Sequence, residues 1–153
     1  MKSTPDQHDP DWPRYPETIL TFAAEPPVSI DLRAMPGERE LSALARIGLA
    51  EPFAVMTAFD PRGENLTPEE NDALSRQLDA RLREMGHQFV RVDACSPDGE
   101  HCECSVAVRM TQSDAVRLAC EFEQVALFWF DGGQFWIIGA MVPTDPMMLP
   151  RSS

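Results

Sequence analysis

The chain has 153 residues, of which 43% are hydrophobic and 25% are charged, as is typical of one soluble globular domain. These proportions exclude collagen-like, fully disordered and coiled-coil chains. Lys and Arg number 13 and Asp and Glu number 25, which gives a formal charge of −12 at pH 7. A surface this acidic repels phosphate groups, so we expect binding neither to nucleic acid nor to anionic membranes.

Both ends of the chain are rich in proline, which fixes φ and removes a backbone donor. We therefore expect flexible arms over residues 1–16 and 143–153, on either side of a single domain over residues 17–142. Trp12 and Tyr15 could pin the first arm to this domain. No apolar run is long enough to span a bilayer, and the N-terminus lacks the apolar core of a signal peptide, so the expected location is the cytoplasm.

The first half of the chain predicts three strands and a helix. Residues 18–23 and 28–32 alternate at period two, and residues 38–49 place apolar side chains at helical spacing. Residues 53–59 form a nearly continuous apolar run, which is typical of a strand covered on both faces. The following residues 60–63, Asp-Pro-Arg-Gly, have the chemistry of a type I turn.

The clearest helix start in the chain is at Thr67, with proline next and Glu70 completing a capping box. Leucines then recur every fourth residue up to a glycine stop at Gly86. Residues 87–93 and 102–110 predict an antiparallel hairpin.

A third helix follows Thr111, and residues 125–130 and 135–138 form a second hairpin around Asp-Gly-Gly. Together the predicted elements indicate an α+β domain with about three helices on a mixed sheet of five or six strands.

Several short motifs resemble a bacterial domain-of-unknown-function family, numbered 3293. They are a strand ending Thr-Ala-x-Asn/Asp-Pro, a helix opening Glu-Asn, a Glu in the next hairpin, and Gln-x-Ala near the end of the domain. The matching positions lie between residues 50 and 140: Thr57, Ala58, Asp60, Pro61, Glu70, Asn71, Glu103, Gln124 and Ala126. The resemblance implies no known activity or cofactor, and Asp60 places a carboxylate where the family pattern has an amide.

The corner between the third strand and the second helix is the first candidate ligand site. It carries Thr57, Asp60, Arg62 and Asn71, and ligands often bind beyond strand ends, near helix N-termini. Arg62 and the free N–H groups of the helix could hold an anion. Gln124, a polar amide that enters an apolar strand, either ties backbone or faces a pocket. The alternative is that these residues only build turns and caps.

Glu103 is the candidate catalytic acid or base, with Asp60 as a second candidate. If the first hairpin forms as predicted, Asp93 and Glu103 lie close together on its polar face, where paired carboxylates could split their pKa values or hold Mg²⁺. The alternative is a solvated acidic face.

The four cysteines are expected to be free thiols, as in most cytosolic proteins. Cys95, His101, Cys102 and Cys104 are zinc-ligand types, but their spacing lacks paired C-x₂-C knuckles, so we predict no metal and no cofactor.

The sequence leaves three functions open. The first is a small acidic binding module for a protein, with the aromatic second hairpin as a possible docking face. The second is a small enzyme or ligand-binding domain that takes a polar molecule at the corner. The third is an acidic partner for a basic protein.

Overall fold

The structure is a computed structural model that describes residue 9 and residues 12–151. Most of the predicted N-terminal arm and residues 152–153 lie outside the described residues. The described helices are a 3-10 helix at Trp12–Glu17, α1 (Glu38–Arg46), a 3-10 turn at Pro61–Gly63, α2 (Pro68–Glu84) and α3 (Gln112–Glu121). The strands are β1 (Ile19–Phe22), β2 (Val28–Asp31), β3 (Phe53–Thr57), β4 (Phe89–Cys95), β5 (Cys102–Val108), β6 (Ala126–Phe130), β7 (Phe135–Gly139) and β8 (Met147–Met148).

The eight strands form one curled sheet in the order β2-β1-β4-β5-β3-β6-β7-β8. Every neighbouring pair is antiparallel, so the predicted mixed sheet of five or six strands is wrong in both size and type, although the α+β class is confirmed. Strand β3 is buried on both faces, as its nearly continuous apolar run predicts, but this pattern does not distinguish parallel from antiparallel pairing. Antiparallel strands covered on both sides produce the same pattern.

The centre of the sheet follows the order β3-α2-β4-β5-α3-β6, a β-α-β-β-α-β arrangement. The strands joined by a helix crossover never lie side by side. The antiparallel β5 separates β3 from β4, and β3 separates β5 from β6. Two strands then extend each edge of this centre.

The C-terminal segment contributes the outermost of these added strands. Met147 pairs with Ile137 and Met148 with Trp136, and Leu149 is buried in the same core. A strand of two residues is too short to leave a period-two pattern, which is why the sequence predicts only a proline-rich arm there.

Local signals at the helix ends are confirmed. The Thr67 side chain accepts a hydrogen bond from the Glu70 backbone, and the Glu70 carboxylate accepts one from the Thr67 backbone, as the capping box requires. Thr111 caps α3 in the same way through the Asp114 backbone. No helix among the described residues is long and apolar enough to cross a membrane.

The two faces of the sheet have separate cores because side chains alternate along each strand. Helices α2 and α3 cover one face, where Ala54, Met56 and Leu82 belong to one apolar cluster. On the opposite, inner face, Phe53 and Val55 belong to a second cluster that also holds the residues of α1, β1 and β2.

The inner face has two unlike ends. At one end, which we call the closed end, the rings of Phe22, Phe53, Phe130 and Phe135 pack together with α1 residue Leu44. At the other, the open end, β3 reaches Thr57, and β5 and β6 begin. This open end leaves a cavity.

Candidate functional site

A cavity of about 770 Å³ occupies the open end of the inner face. Its walls come from the first 3-10 helix, from β3, β5 and β6, from the β4–β5 loop and from the start of α2. The lining includes five of the six predicted site residues: Thr57, Asp60, Asn71, Glu103 and Gln124. Sheet topology thus brings together residues that are up to 67 positions apart in the sequence.

Asp60 and Asn71 form a rigid clasp at the end of β3. The Asp60 backbone N–H donates to Asn71 Oδ1 at 2.9 Å, and Asn71 Nδ2 donates back to Asp60 Oδ1 at 3.0 Å. Leu66 N also donates to Asp60 Oδ1, at 3.0 Å. All the hydrogen bonds that described residues make to this carboxylate therefore end on Oδ1. Asp60 adopts φ +48°, a left-handed conformation that Asp tolerates better than most residues.

The side chains of Thr57 and Gln124, at the floor of the cavity, form hydrogen bonds with backbone groups. Thr57 Oγ1 donates to the Cys104 carbonyl at 2.8 Å and accepts from Phe59 N at 3.0 Å. Gln124 Nε2 donates to the carbonyls of Phe59, at 3.0 Å, and Phe122, at 3.3 Å. Gln124 is only 7% exposed, and its Oε1 accepts no hydrogen bond from the described residues. The side chain therefore both ties backbone and presents an acceptor in the lining.

Glu103 lies on the inner face of β5, half-buried in the cavity wall. It pairs across the sheet with Ala94, whereas Asp93 pairs with Cys104 and so lies on the opposite face. The predicted Asp93–Glu103 pair is therefore wrong, because adjacent register positions point to opposite sides of the sheet. Ser105, two residues further along β5, also lines the cavity and donates to the Glu103 carbonyl at 3.2 Å.

Aromatic side chains form the apolar part of the cavity wall. Tyr15 and Phe128 line the cavity with their ring centroids 6.1 Å apart, and Tyr15 also packs against Trp12. The Tyr15 hydroxyl donates to the buried carboxylate of Asp9. The predicted pinning of the N-terminal arm by Trp12 and Tyr15 thus places an aromatic ring in the site.

Arg62 is the predicted site residue that the structure leaves outside the cavity lining. Its backbone N–H donates to the Glu123 carbonyl, and its guanidinium lies 2.8 Å from the Glu123 carboxylate and 3.3 Å from that of Glu64. The hydrogen bond to Glu64 and the charge of Glu123 raise the pKa of Arg62 above its usual value. Arg62 has φ +59°, so the predicted type I turn is wrong at this position.

The β4–β5 loop forms the rim of the cavity, and a disulfide joins the two ends of this loop. Cys95 and Cys102 are directly opposite in the sheet and are bonded to each other, which corrects the prediction that all four cysteines are free. Cys104 and Cys120 are free thiols. Within the loop, the Ser96 hydroxyl and then the Glu100 backbone N–H donate to Asp98, which lowers the pKa of that carboxyl below its usual value.

The described part of the chain shows no metal centre. The disulfide removes two of the four residues weighed as zinc ligands, and no group of three or more His, Cys, Asp and Glu side chains among the described residues is arranged to hold a metal ion.

Sequence reasoning missed several residues of the cavity. Tyr15, Ser105 and Phe128 come from three different elements, and no motif links them. One sequence feature could have pointed to Ser105. It is a polar residue directly before the apolar residues 106–108, and a hydroxyl buried in such a strand needs a hydrogen-bond partner. The disulfide depends on the strand register, which places Cys95 opposite Cys102, and the predicted hairpin neither included Cys95 nor assigned a register.

Residues 56–127 match the model of the family described as "Protein of unknown function (DUF3293)". This match confirms the predicted resemblance to that family. The match runs from near the end of β3 to the start of β6, a narrower span than predicted, and it includes Thr57, Asp60, Asn71, Glu103 and Gln124. The family description states no function. No curated protein and no solved structure matches the chain.

Proposed function

We propose that this chain is a small acidic binding module whose partner is a polar small molecule held in the open-end cavity. The observation that supports this function is the cavity itself. Its lining contains polar groups, those of Asp60, Glu103 and Gln124, together with the rings of Tyr15 and Phe128. Its volume of about 770 Å³ lies within the usual range for small-molecule sites. An apolar wall with a few convergent polar groups is also the usual composition of such sites.

The surface gives less support to a protein-docking face. The aromatic hairpin was the predicted candidate, but Trp129 and Trp136 pack against the cluster under α2 and α3, and Trp136 Nε1 donates to Asp131. Among the described residues, the large apolar side chains that are exposed are Met35 and Met148. Scattered exposed residues of this kind are normal on any protein surface.

The proposal keeps the predicted location in the bacterial cytoplasm, where thiols such as those of Cys104 and Cys120 stay reduced and where a bridge such as Cys95–Cys102 is uncommon. It also keeps Glu103 and Asp60 as candidate acid and base, should the bound molecule be transformed as well as bound. Both carboxylates line the same cavity, so binding is the property to establish first.

A ligand-observed NMR screen with a cavity-filling variant tests this proposal. The screen covers amines, guanidines, amino acids, sugars, carboxylates and phosphates. Ala94 lies on the inner face beside Glu103 and lines the cavity, so Ala94→Trp should fill it and abolish binding. Ala45→Trp, on the exposed side of α1, should bind like the wild type.

Thr18→Trp fills the cavity from the β1 side and serves if Ala94→Trp does not fold. Circular dichroism establishes folding for each variant. Failure of every compound class to bind the folded wild type, or binding that persists in a folded cavity-filled variant, contradicts the proposal.

A further inference from the structure

The polar groups at the cavity floor have already used their donors within the protein. The Thr57 hydroxyl donates to Cys104 O, the Ser105 hydroxyl donates to Glu103 O, and the Gln124 amide donates to two carbonyls. Asn71 Nδ2 donates to Asp60. A ligand that approaches these four side chains therefore meets few donors.

Acceptors, in contrast, remain in the same lining. Gln124 is 93% buried, and its orientation is fixed because only the amide nitrogen can donate to the carbonyls of Phe59 and Phe122. Its Oε1 is consequently an acceptor in the cavity wall with no hydrogen bond from the described residues. The Asp60 carboxylate is held by three hydrogen bonds that involve its own backbone or Oδ1, so its position is set before a ligand arrives.

The net charge of the lining is negative, which also favours a ligand that donates hydrogen bonds. Five carboxylates line the cavity against one guanidinium, that of Arg14, so with His101 counted neutral the lining carries a net charge of −4. The carboxylates are those of Glu17, Asp60, Asp72, Glu100 and Glu103. A concave site of one sign concentrates counter-ions of the opposite sign.

We propose, on the basis of the proposed function, that the ligand is an organic cation whose amine, amidine or guanidinium group donates to Asp60, Glu103 and Gln124 Oε1. The rings of Tyr15 and Phe128 would contact its apolar part or the face of its charged group. A metal ion fits less well, since the described carboxylates do not converge as metal ligands. An anion meets a negative lining, and Arg62, the predicted anion ligand, is engaged elsewhere.

Two matched sets of probes separate charge from shape. Benzamidine, benzamide and benzoate are planar and nearly equal in size but differ in charge, as do butylguanidinium, butylurea and pentanoate. We expect each cation to bind, measured by calorimetry, at least about tenfold more tightly than its neutral partner, and we expect the anions not to bind. Binding of the cations should also weaken at high salt, because screening reduces the attraction to the lining.

Charge-neutral variants locate the effect. Glu103→Gln and Asp60→Asn keep side-chain shape, and Asn tolerates the positive φ at position 60, so both should fold while weakening cation binding about tenfold each. Glu84→Gln removes an exposed carboxylate at the far end of α2 and should leave binding unchanged.

The outcomes separate this inference from the function on which it rests. If a neutral or anionic probe binds as tightly as its cation, or if both carboxylate variants bind the cations as the wild type does, the cation inference is overturned. The cavity-filling variants then still report whether the cavity binds small molecules. If neither cation binds the folded wild type, the inference is overturned as well.

Discussion

The two ends of the inner face share strands β3 and β6, but one end is packed with aromatic rings and the other holds a polar cavity. At the closed end, the Phe53 ring packs against Phe22, Phe130 and Phe135 with centroids 5.0 to 6.0 Å apart. Only four residues further along β3, Thr57 lies among Asp60, Glu103 and Gln124 at the open end.

This difference shows how a small domain can hold a polar cavity. Aromatic side chains bury large areas and dominate the stability of a core, so the closed end can compensate for polar groups that are partly buried at the open end. The polar groups then need positioning by hydrogen bonds, because they gain little from burial. The Asp60–Asn71 clasp provides such positioning.

The largest effect is expected when the aromatic ring at the centre of the closed end, that of Phe53, is removed. Phe53 is fully buried, so Phe53→Ala should lower the free energy of unfolding by about 3 to 5 kcal/mol, the usual cost of truncating a core phenylalanine. Chemical denaturation measures this loss. Phe59→Ala, the half-buried matched variant at the open end, should lose less than half as much. Equal losses would mean that the two ends contribute alike to stability.

A smaller effect is expected from the disulfide at the rim of the open end. The Cys95–Cys102 bridge closes a short loop, so replacing both cysteines with serine should lower the free energy of unfolding by about 2 to 3 kcal/mol. Dithiothreitol should have a similar effect on the wild type. Cys120→Ser, which changes an exposed free thiol, should stay within about 0.5 kcal/mol of the wild type. A double variant as stable as Cys120→Ser would show that the bridge does not stabilise the fold.

The smallest effect concerns Asp131, in the β6–β7 turn beside the closed end. Burial opposes its ionisation, but hydrogen bonds from Trp136 Nε1, Gln134 N and Gly133 N outweigh it and hold the pKa of Asp131 below its usual value. A carboxyl with a lowered pKa stabilises the folded state above the pKa of the unfolded chain, about 3.9, and this contribution is lost as the pH falls through the folded pKa.

Asp131→Asn should therefore be less stable than the wild type at pH 7, by less than about 1 kcal/mol because the carboxylate is partly exposed. The difference should shrink below about pH 4. Thermal unfolding at pH 7 and pH 3 measures it. Asp145→Asn alters an exposed carboxylate that accepts no hydrogen bond from the described residues, and it should match the wild type at both pH values. A difference for Asp131→Asn that grows towards acid would reverse the assigned sign.

Much of the fold was predictable because its signals are local. The capping box at Thr67, the Asp-Gly-Gly hairpin and the alternation along β5 each depend on neighbours within a few residues. The family motifs are equally short, and they placed six residues that line the cavity. Such features need no knowledge of which strands pair.

The sequence by itself determined most of the helices and strands, the acidic charge and the polar positions at the end of β3. Only the tertiary structure decided that the sheet is antiparallel, that Cys95 faces Cys102, and that Glu103 faces the cavity while Asp93 faces away. It also decided that Arg62 pairs with the Glu123 carboxylate and that the Tyr15 ring packs against Phe128 in the cavity wall. These outcomes depend on strand register and on contacts between distant segments, and a shift of one residue in register reverses the face of every side chain in a strand.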